Sequence, residues 1–231
     1  MTDLTETTSS AAASVAATPA AANRRTLIGA VAKPIVFAVL LALATMAGRI
    51  PIPGTPVPIT LQTFVVMVAA LTMSWCQAGA AIALYLAAGA AGLPVFAGGA
   101  STAALVGPSA GFLIEFLPAA IVTALLKGSV RHAASSADLL GAAHVSGLVG
   151  NGDGTSASRF ARTALTVARY FAAAVIGCIV LDYLFGFTVQ SAITGMPFGT
   201  VALASMGFVA GDLVKAAVAS LVIAGVARFK R

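Results

Sequence analysis

Apolar residues run along this chain in long blocks, separated by short clusters of glycine, proline and charge. Six blocks can be marked, at about 33–49, 61–75, 78–93, 109–127, 163–185 and 208–227. None shows the strict alternation of a half-buried strand. Most approach the roughly 20 residues that an apolar helix needs to cross a bilayer core about 30 Å thick. The pattern predicts six membrane helices.

Three connections between blocks are rich in glycine and proline. Residues 49–60, "RIPIPGTPVPIT", carry four prolines. Proline cannot continue a helix interior, so this stretch is expected to be ordered but not helical. The second is 92–108, "GLPVFAGGASTAALVGP", and the third is 186–207, with room for a short helix. A short linker around Gln77 is expected between the second and third blocks. Residues 128–160 are polar, Gly- and Ser-rich, and read as a flexible loop. The first 29 residues read as a disordered tail. They do not read as a signal peptide, because Asp3 and Glu6 stand where one is basic and no apolar segment follows.

Composition fixes the solvent. The chain is 59% hydrophobic and 9% charged, with a mean hydropathy of +1.00. Soluble domains carry about a quarter charged residues, so this is read as an all-α integral membrane protein. Abundant glycine and alanine suit closely packed membrane helices, and the short alternating segments of a membrane barrel are absent. The net charge of +6 reflects topology rather than nucleic-acid binding. Arg24, Arg25 and Lys33 precede the first block; Lys127, Arg131, Arg159 and Arg162 flank the 128–160 loop; Arg228, Lys230 and Arg231 end the chain. An even number of spans puts all of them on one side, which the positive-inside rule makes cytoplasmic. Both termini are then cytoplasmic, and Arg49 is the one basic residue at an outer end. The three Gly/Pro-rich connections face outward. Irregular backbone at membrane depth is tolerated where it lines a cavity, so they are expected to form a ligand pocket open to the outside.

Charge inside the blocks points to candidate chemistry. Asp212 and Lys215 stand in the apolar run "GFVAGDLVKAAVA" with no other charge between Asp182 and Arg228. Each such residue costs about 3 kcal/mol on insertion scales. At i and i+3 they share a helix face. They form either a mutual ion pair or a site for an anion arriving from outside. Gln62 and Thr63 open the second block, as a helix N-terminal turn or as ligand contacts. Tyr85 reads as a core or helix contact whose hydroxyl needs a partner and is carried as a candidate ligand contact, and Phe96 reads as a loop anchor or a ligand lid. Glu115 either lines the cavity or snorkels outward, and Asp182 reads as interfacial. Ala38 and Ala42 share one face of the first block, for internal packing or contact with another protein. Cys76 and Cys178 are expected as unpaired thiols. His132 and His144 lie in the polar loop without metal-site spacing. "GNGDG" at 150–154 lacks the Lys-Ser/Thr and preceding strand of a phosphate loop. No ATPase signature, cofactor motif or metal-ligand set is evident, and the blocks hold no nucleophile–base pair that would argue for an enzyme.

Four segments, "IPIPGTPVPITLQTFVVM", "LYLAAGAAGLPVFAGG", "LVGPSAGFLIEF" and "FVAGDLVKAAVA", together resemble the BioY family in content and order, over about residues 30–228. The resemblance implies a biotin-specific substrate-binding (S) component of an energy-coupling factor transporter. It implies six helices, both termini cytoplasmic, and capture of biotin near the outer face. It also implies a membrane coupling subunit and two cytoplasmic ATPases as partners. By the same resemblance, Asp212 and Lys215 belong to the biotin site, Gln62 and Thr63 end the proline-loop motif, and Ala38 and Ala42 face the coupling subunit. Glu115 and the Gly98–Gly99 pair depart from the pattern expected of relatives. Biotin's valerate or its ureido oxygen would suit Lys215, a ureido N–H would suit Asp212, and Phe96 with neighbouring alanines would pack the bicycle. Three rival readings are a solitary biotin transporter without the ATPase module, a membrane-embedded enzyme, and a structural membrane protein.

Overall fold

The apolar blocks become helices, and glycines, prolines and capping residues decide where they end. A computed structural model describes the backbone of residues 19–128 and 156–229, with side chains over 29–128 and 160–227. Helix α1 spans Pro19–Met46, α2 Gln62–Thr72, α3 Trp75–Ala90 and α4 Ala110–Leu126. Helix α5, Ser156–Val175, continues through a π-helical segment, Ile176–Leu181, into α6, Asp182–Thr194. Short α7 covers Phe198–Ala204 and α8 Met206–Phe229. Among the described residues there is no strand. Two isolated bridges, Ile50 with Ile59 and Phe96 with Ala100, close the first two connections.

Several boundaries differ from the sequence reading. Helix α1 begins at Pro19, inside the stretch expected to be tail. Alanine is the strongest helix former, and proline is tolerated in a first helical turn. Residues 1–18 and 129–155 lie outside the described residues, and with them Arg131, His132, His144 and "GNGDG". The link between α2 and α3 is Met73–Ser74, not a linker around Gln77. The Ser74 hydroxyl accepts from the Gln77 N–H at 3.3 Å and the Gln77 side chain accepts from the Ser74 N–H at 3.4 Å. This capping box puts Gln77 in the first turn of α3. The helix α5–α6 outruns its expected end at 185 because Gly186 is a packing position, not a breaker. The Phe112 ring occupies the space a Cβ there would need. The helix stops at Gly195, whose φ of 71° gives the left-handed C-cap that glycine favours.

The π segment has a local cause. A Cβ on Gly177 would lie 2.9 Å from the Ala119 carbonyl oxygen and 3.0 Å from the Thr123 nitrogen. Glycine therefore lets the π turn approach α4 at backbone distance. Cys178 is buried there, its sulfur 3.3 Å from the Thr123 hydroxyl, and Cys76 is exposed, so both thiols are free.

The main core joins Leu41, Met67, Ile82, Phe116, Ala174 and Ala216, from α1, α2, α3, α4, α5 and α8. A smaller cluster joins Val57, Phe112, Phe187, Val201 and Phe208. The outer surface is strongly apolar: Val31, Ile35, Val39, Leu43 and Met46 are all exposed on α1 alone. Soluble monomers rarely expose contiguous apolar surface on this scale. Among the described residues, three helical stretches are long and apolar enough to cross a membrane: Gly29–Met46, Phe160–Thr194 and Met206–Ala227. Helices α2, α3 and α4 are apolar and shorter. Ala38 and Ala42 are half-buried and pack against the main core, as internal packing requires; the exposed stripe of α1 runs beside them.

Candidate binding site

A cavity of about 160 Å³ opens where the first two Gly/Pro-rich connections meet α4, α6 and α8. The proline loop contributes Arg49 and 56–60, and the second connection contributes Phe96, Ala97, Ala100 and Ala104. The third connection does not line it. Val201 of α7 packs in the aromatic cluster behind, and the Gln190 amide of α6 donates to the Thr55 hydroxyl at 3.1 Å. Its role is to brace the proline loop.

The floor is a polar network built on α8. Lys215 Nζ makes three contacts: the Thr60 carbonyl at 2.7 Å, Thr63 Oγ1 at 3.0 Å and Asp212 Oδ1 at 2.8 Å. An ammonium has three donors, so all are committed. The Thr63 hydroxyl donates to Asp212 Oδ1 at 2.8 Å, and the Tyr183 hydroxyl donates to Asp212 Oδ2 at 2.6 Å. Asp212 is 4% exposed. Asp212, Lys215 and Thr63 are thus brought together, with an ion pair joining the first two. Tyr183, on α6, was not legible as a member, because it reaches Asp212 across a tertiary contact.

The network continues along one wall. The Thr60 hydroxyl donates to Gln62 Oε1 at 3.0 Å. The Gln62 amide donates to the Tyr85 hydroxyl, which donates in turn to the Val95 carbonyl at 3.1 Å. Gln62 lines the cavity; Tyr85 does not. Tyr85 is buried behind the wall, where its ring meets Phe96 edge to face at 5.2 Å. The expectation of a ligand contact at Tyr85 is corrected to support of Gln62 and Phe96. Phe96 does line the cavity, held by Gly89, where a Cβ would fall within its ring. Phe112, Phe116 and Phe208 complete the apolar walls.

Two charged lining residues stand outside the network. Arg49 is exposed, and its guanidinium lies over Gly98, in the space a Cβ would need. Its place in the sequence made it look like a topology charge; its proximity to the second connection comes only from folding. Asp182 is 2% exposed and its Oδ1 has no hydrogen-bond partner, so the interfacial reading is corrected. Glu115 is 2% exposed and does not line the cavity, so it neither lines the site nor snorkels. The lining contains no histidine or cysteine among the described residues. It offers an apolar slot with a neutralised floor, one uncommitted cation and one uncommitted acid: a binding site for an amphipathic small molecule.

An all-helical membrane protein with such a site at one end of its bundle defines a class of small-molecule membrane binder. The BioY family model matches residues 14–231, and the chain belongs to that family. Biotin transporter BioY of Rhizobium etli is 32% identical over 187 residues, 80% of this chain and 86% of the relative. The probable biotin transporter BioY of Bacillus subtilis is 30% identical, covering 80% and 84%. The fold matches the crystal structure of the S-component for biotin from an ECF-type ABC transporter. That match has a TM-score of 0.70 at 18% identity, over 88% of this chain and 93% of the other.

Proposed function

We propose that this chain binds biotin in the cavity and takes it up across the cytoplasmic membrane as the substrate-specific component of an ECF-type transporter. It is a binder and carrier, not an enzyme. The observation that carries the reading is the distribution of charge in the cavity. Lys215 and Asp212 neutralise each other, leaving Arg49 as the uncommitted cation beside apolar walls. Biotin is an anion with an apolar bicycle and a polar ureido end. Its carboxylate pairs with Arg49, its ring lies against Phe96 and Phe208, and its ureido group meets the floor at Asp212 and Gln62. Lys215 acts mainly by pairing with Asp212 and holding it in place, rather than by reaching the valerate. The names of the two curated relatives support the ligand.

The same reading assigns six spans: α1, α2, α3, α4, the continuous α5–α6 helix, and α8. Helix α2 covers only about 16 Å at roughly 1.5 Å per residue. The proline loop before it supplies the remaining depth, which is tolerated where such backbone lines a cavity, as residues 56–60 do. Lys127 marks the opposite end, its ammonium donating to the Ala70 and Met73 carbonyls at the end of α2. With the basic ends of α1 and α8 it sets that end, and both termini, in the cytoplasm. There a coupling subunit and two ATPases complete the machine, meeting α1 along its exposed stripe next to Ala38 and Ala42. The test has two arms. Purified protein titrated with biotin should bind saturably, and loss of binding overturns the reading. Uptake should fail in a host lacking the coupling proteins; undiminished uptake there would favour a solitary transporter.

A further inference from the structure

Resting on the reading of the cavity as biotin's site, we propose that Asp182 is a second acceptor for the ligand's ureido N–H groups. It would make the site selective for ligands with two such donors. A buried acceptor without a partner is costly, more so if ionised, and native structures almost always pair such groups. Asp182 is 2% exposed, its Oδ1 has no partner, and it lines the cavity. An acceptor this buried, on a cavity wall, points to a donor on what the cavity holds.

Among the described residues no cation forms an ion pair with Asp182. Lys215 has all three donors on Thr60, Thr63 and Asp212. Nor does Asp212 suffice alone for a cyclic urea. Its oxygens already accept from Thr63, Lys215 and Tyr183, leaving about one of the roughly four acceptor positions of a carboxylate. A cyclic urea presents two N–H groups on opposite sides of its carbonyl. One fits the remaining position on Asp212, and the other needs a second acceptor, which Asp182 offers without a competing donor.

The backbone sets that second acid beside the first. Tyr183 is anchored on Asp212 at 2.6 Å, and Asp182 is its neighbour in sequence. Both line the cavity, although consecutive residues of an α-helix point about 100° apart. The π segment Ile176–Leu181 ends immediately before Asp182. Such insertions change the register of a helix face and recur at functional sites. Here the insertion sets how the face of α6 that carries Asp182 and Tyr183 is turned relative to α5.

The test measures equilibrium binding of biotin and its two mono-N-methyl ureido isomers to purified wild type and Asp182→Leu, which removes both acceptor oxygens at similar volume. In wild type, either methylation should weaken binding about tenfold or more, the worth of a buried hydrogen bond to a charged group. Asp182→Leu should weaken biotin binding by a similar factor. It should be insensitive to further methylation at one nitrogen, because that bond is already lost. The proposal is overturned if Asp182→Leu binds biotin as tightly as wild type, or if its loss adds in full to that of both isomers. Should the variant fail to fold, wild type decides: either methyl isomer binding as well as biotin overturns the proposal. Wild type that binds no biotin refutes instead the reading on which it rests, a result plainly different from retained biotin binding by Asp182→Leu.

Discussion

Lys215→Met separates a lysine that holds the floor together from one that holds the ligand. The substitution keeps the aliphatic stem and removes three contacts of 2.7–3.0 Å. Asp212, 4% exposed, would keep only the Thr63 and Tyr183 hydroxyls. Breaking a buried ion pair from one side costs about 3–5 kcal/mol, because the remaining charge is left uncompensated. Most of that should appear without ligand, as a lowered thermal midpoint of the detergent-purified protein. Asp212→Asn strands the lysine in the same way. The double variant, with neither charge, should be more stable than the sum of the single losses by about 0.5–3 kcal/mol, the range of coupling for contacting residues. Biotin affinity should fall in all three variants and not recover in the double one. The reasoning is refuted if Lys215→Met leaves the unliganded midpoint unchanged while abolishing binding. The lysine would then be a ligand contact with free donors.

Other consequences are sharp enough to measure. Arg49→Met should weaken biotin about tenfold or more, as expected for a lost charged hydrogen bond, yet leave biotin amide, which lacks the anion, nearly unaffected in a competition assay. Gly98→Ala should reproduce that selectivity. Its φ of 75° costs an L-residue about 1–2 kcal/mol, and its methyl group would displace the Arg49 guanidinium. Gly111→Val should lower the thermal midpoint. A Cβ at Gly111 already meets Val189 Cβ at 2.7 Å and the Phe185 carbonyl at 3.0 Å, so α4 and α6 would be forced apart. Glu115→Leu should raise the midpoint without loss of biotin binding in calorimetry. It removes a buried oxygen that has no partner and stands outside the cavity lining, a replacement that is often neutral or stabilising.

Much of the site was legible where chemistry contradicted its surroundings. Asp212 and Lys215 are conspicuous because charge is expensive in an apolar run, and their spacing puts them on one face. Thr63 and Gln62 were marked by the proline loop that ends beside them. Partners brought in by folding were not legible. Tyr183 reaches Asp212 from another helix, Thr60 offers Lys215 only a carbonyl, and Arg49 looked like any basic residue at a span end. Asp182 was read as interfacial because hydropathy cannot distinguish an acid at the membrane surface from one buried just after a π turn. That turn depends on Gly177 meeting α4, a contact no local pattern encodes. Boundaries failed for a related reason. Gly186 reads as a breaker until Phe112 is seen packed over it, and the alanine-rich start of α1 has helix propensity but low complexity.

The central claim is that this cavity recognises biotin by an anion contact at Arg49 and a ureido contact at the acidic floor. The most direct measurement is calorimetric titration of the purified wild-type chain with biotin, alongside biotin amide. The account predicts saturable one-to-one binding of biotin in the nanomolar range, with the amide weaker by about tenfold or more, as a lost charged hydrogen bond requires. Absence of saturable biotin binding by folded protein, or equal affinity for acid and amide, would contradict it.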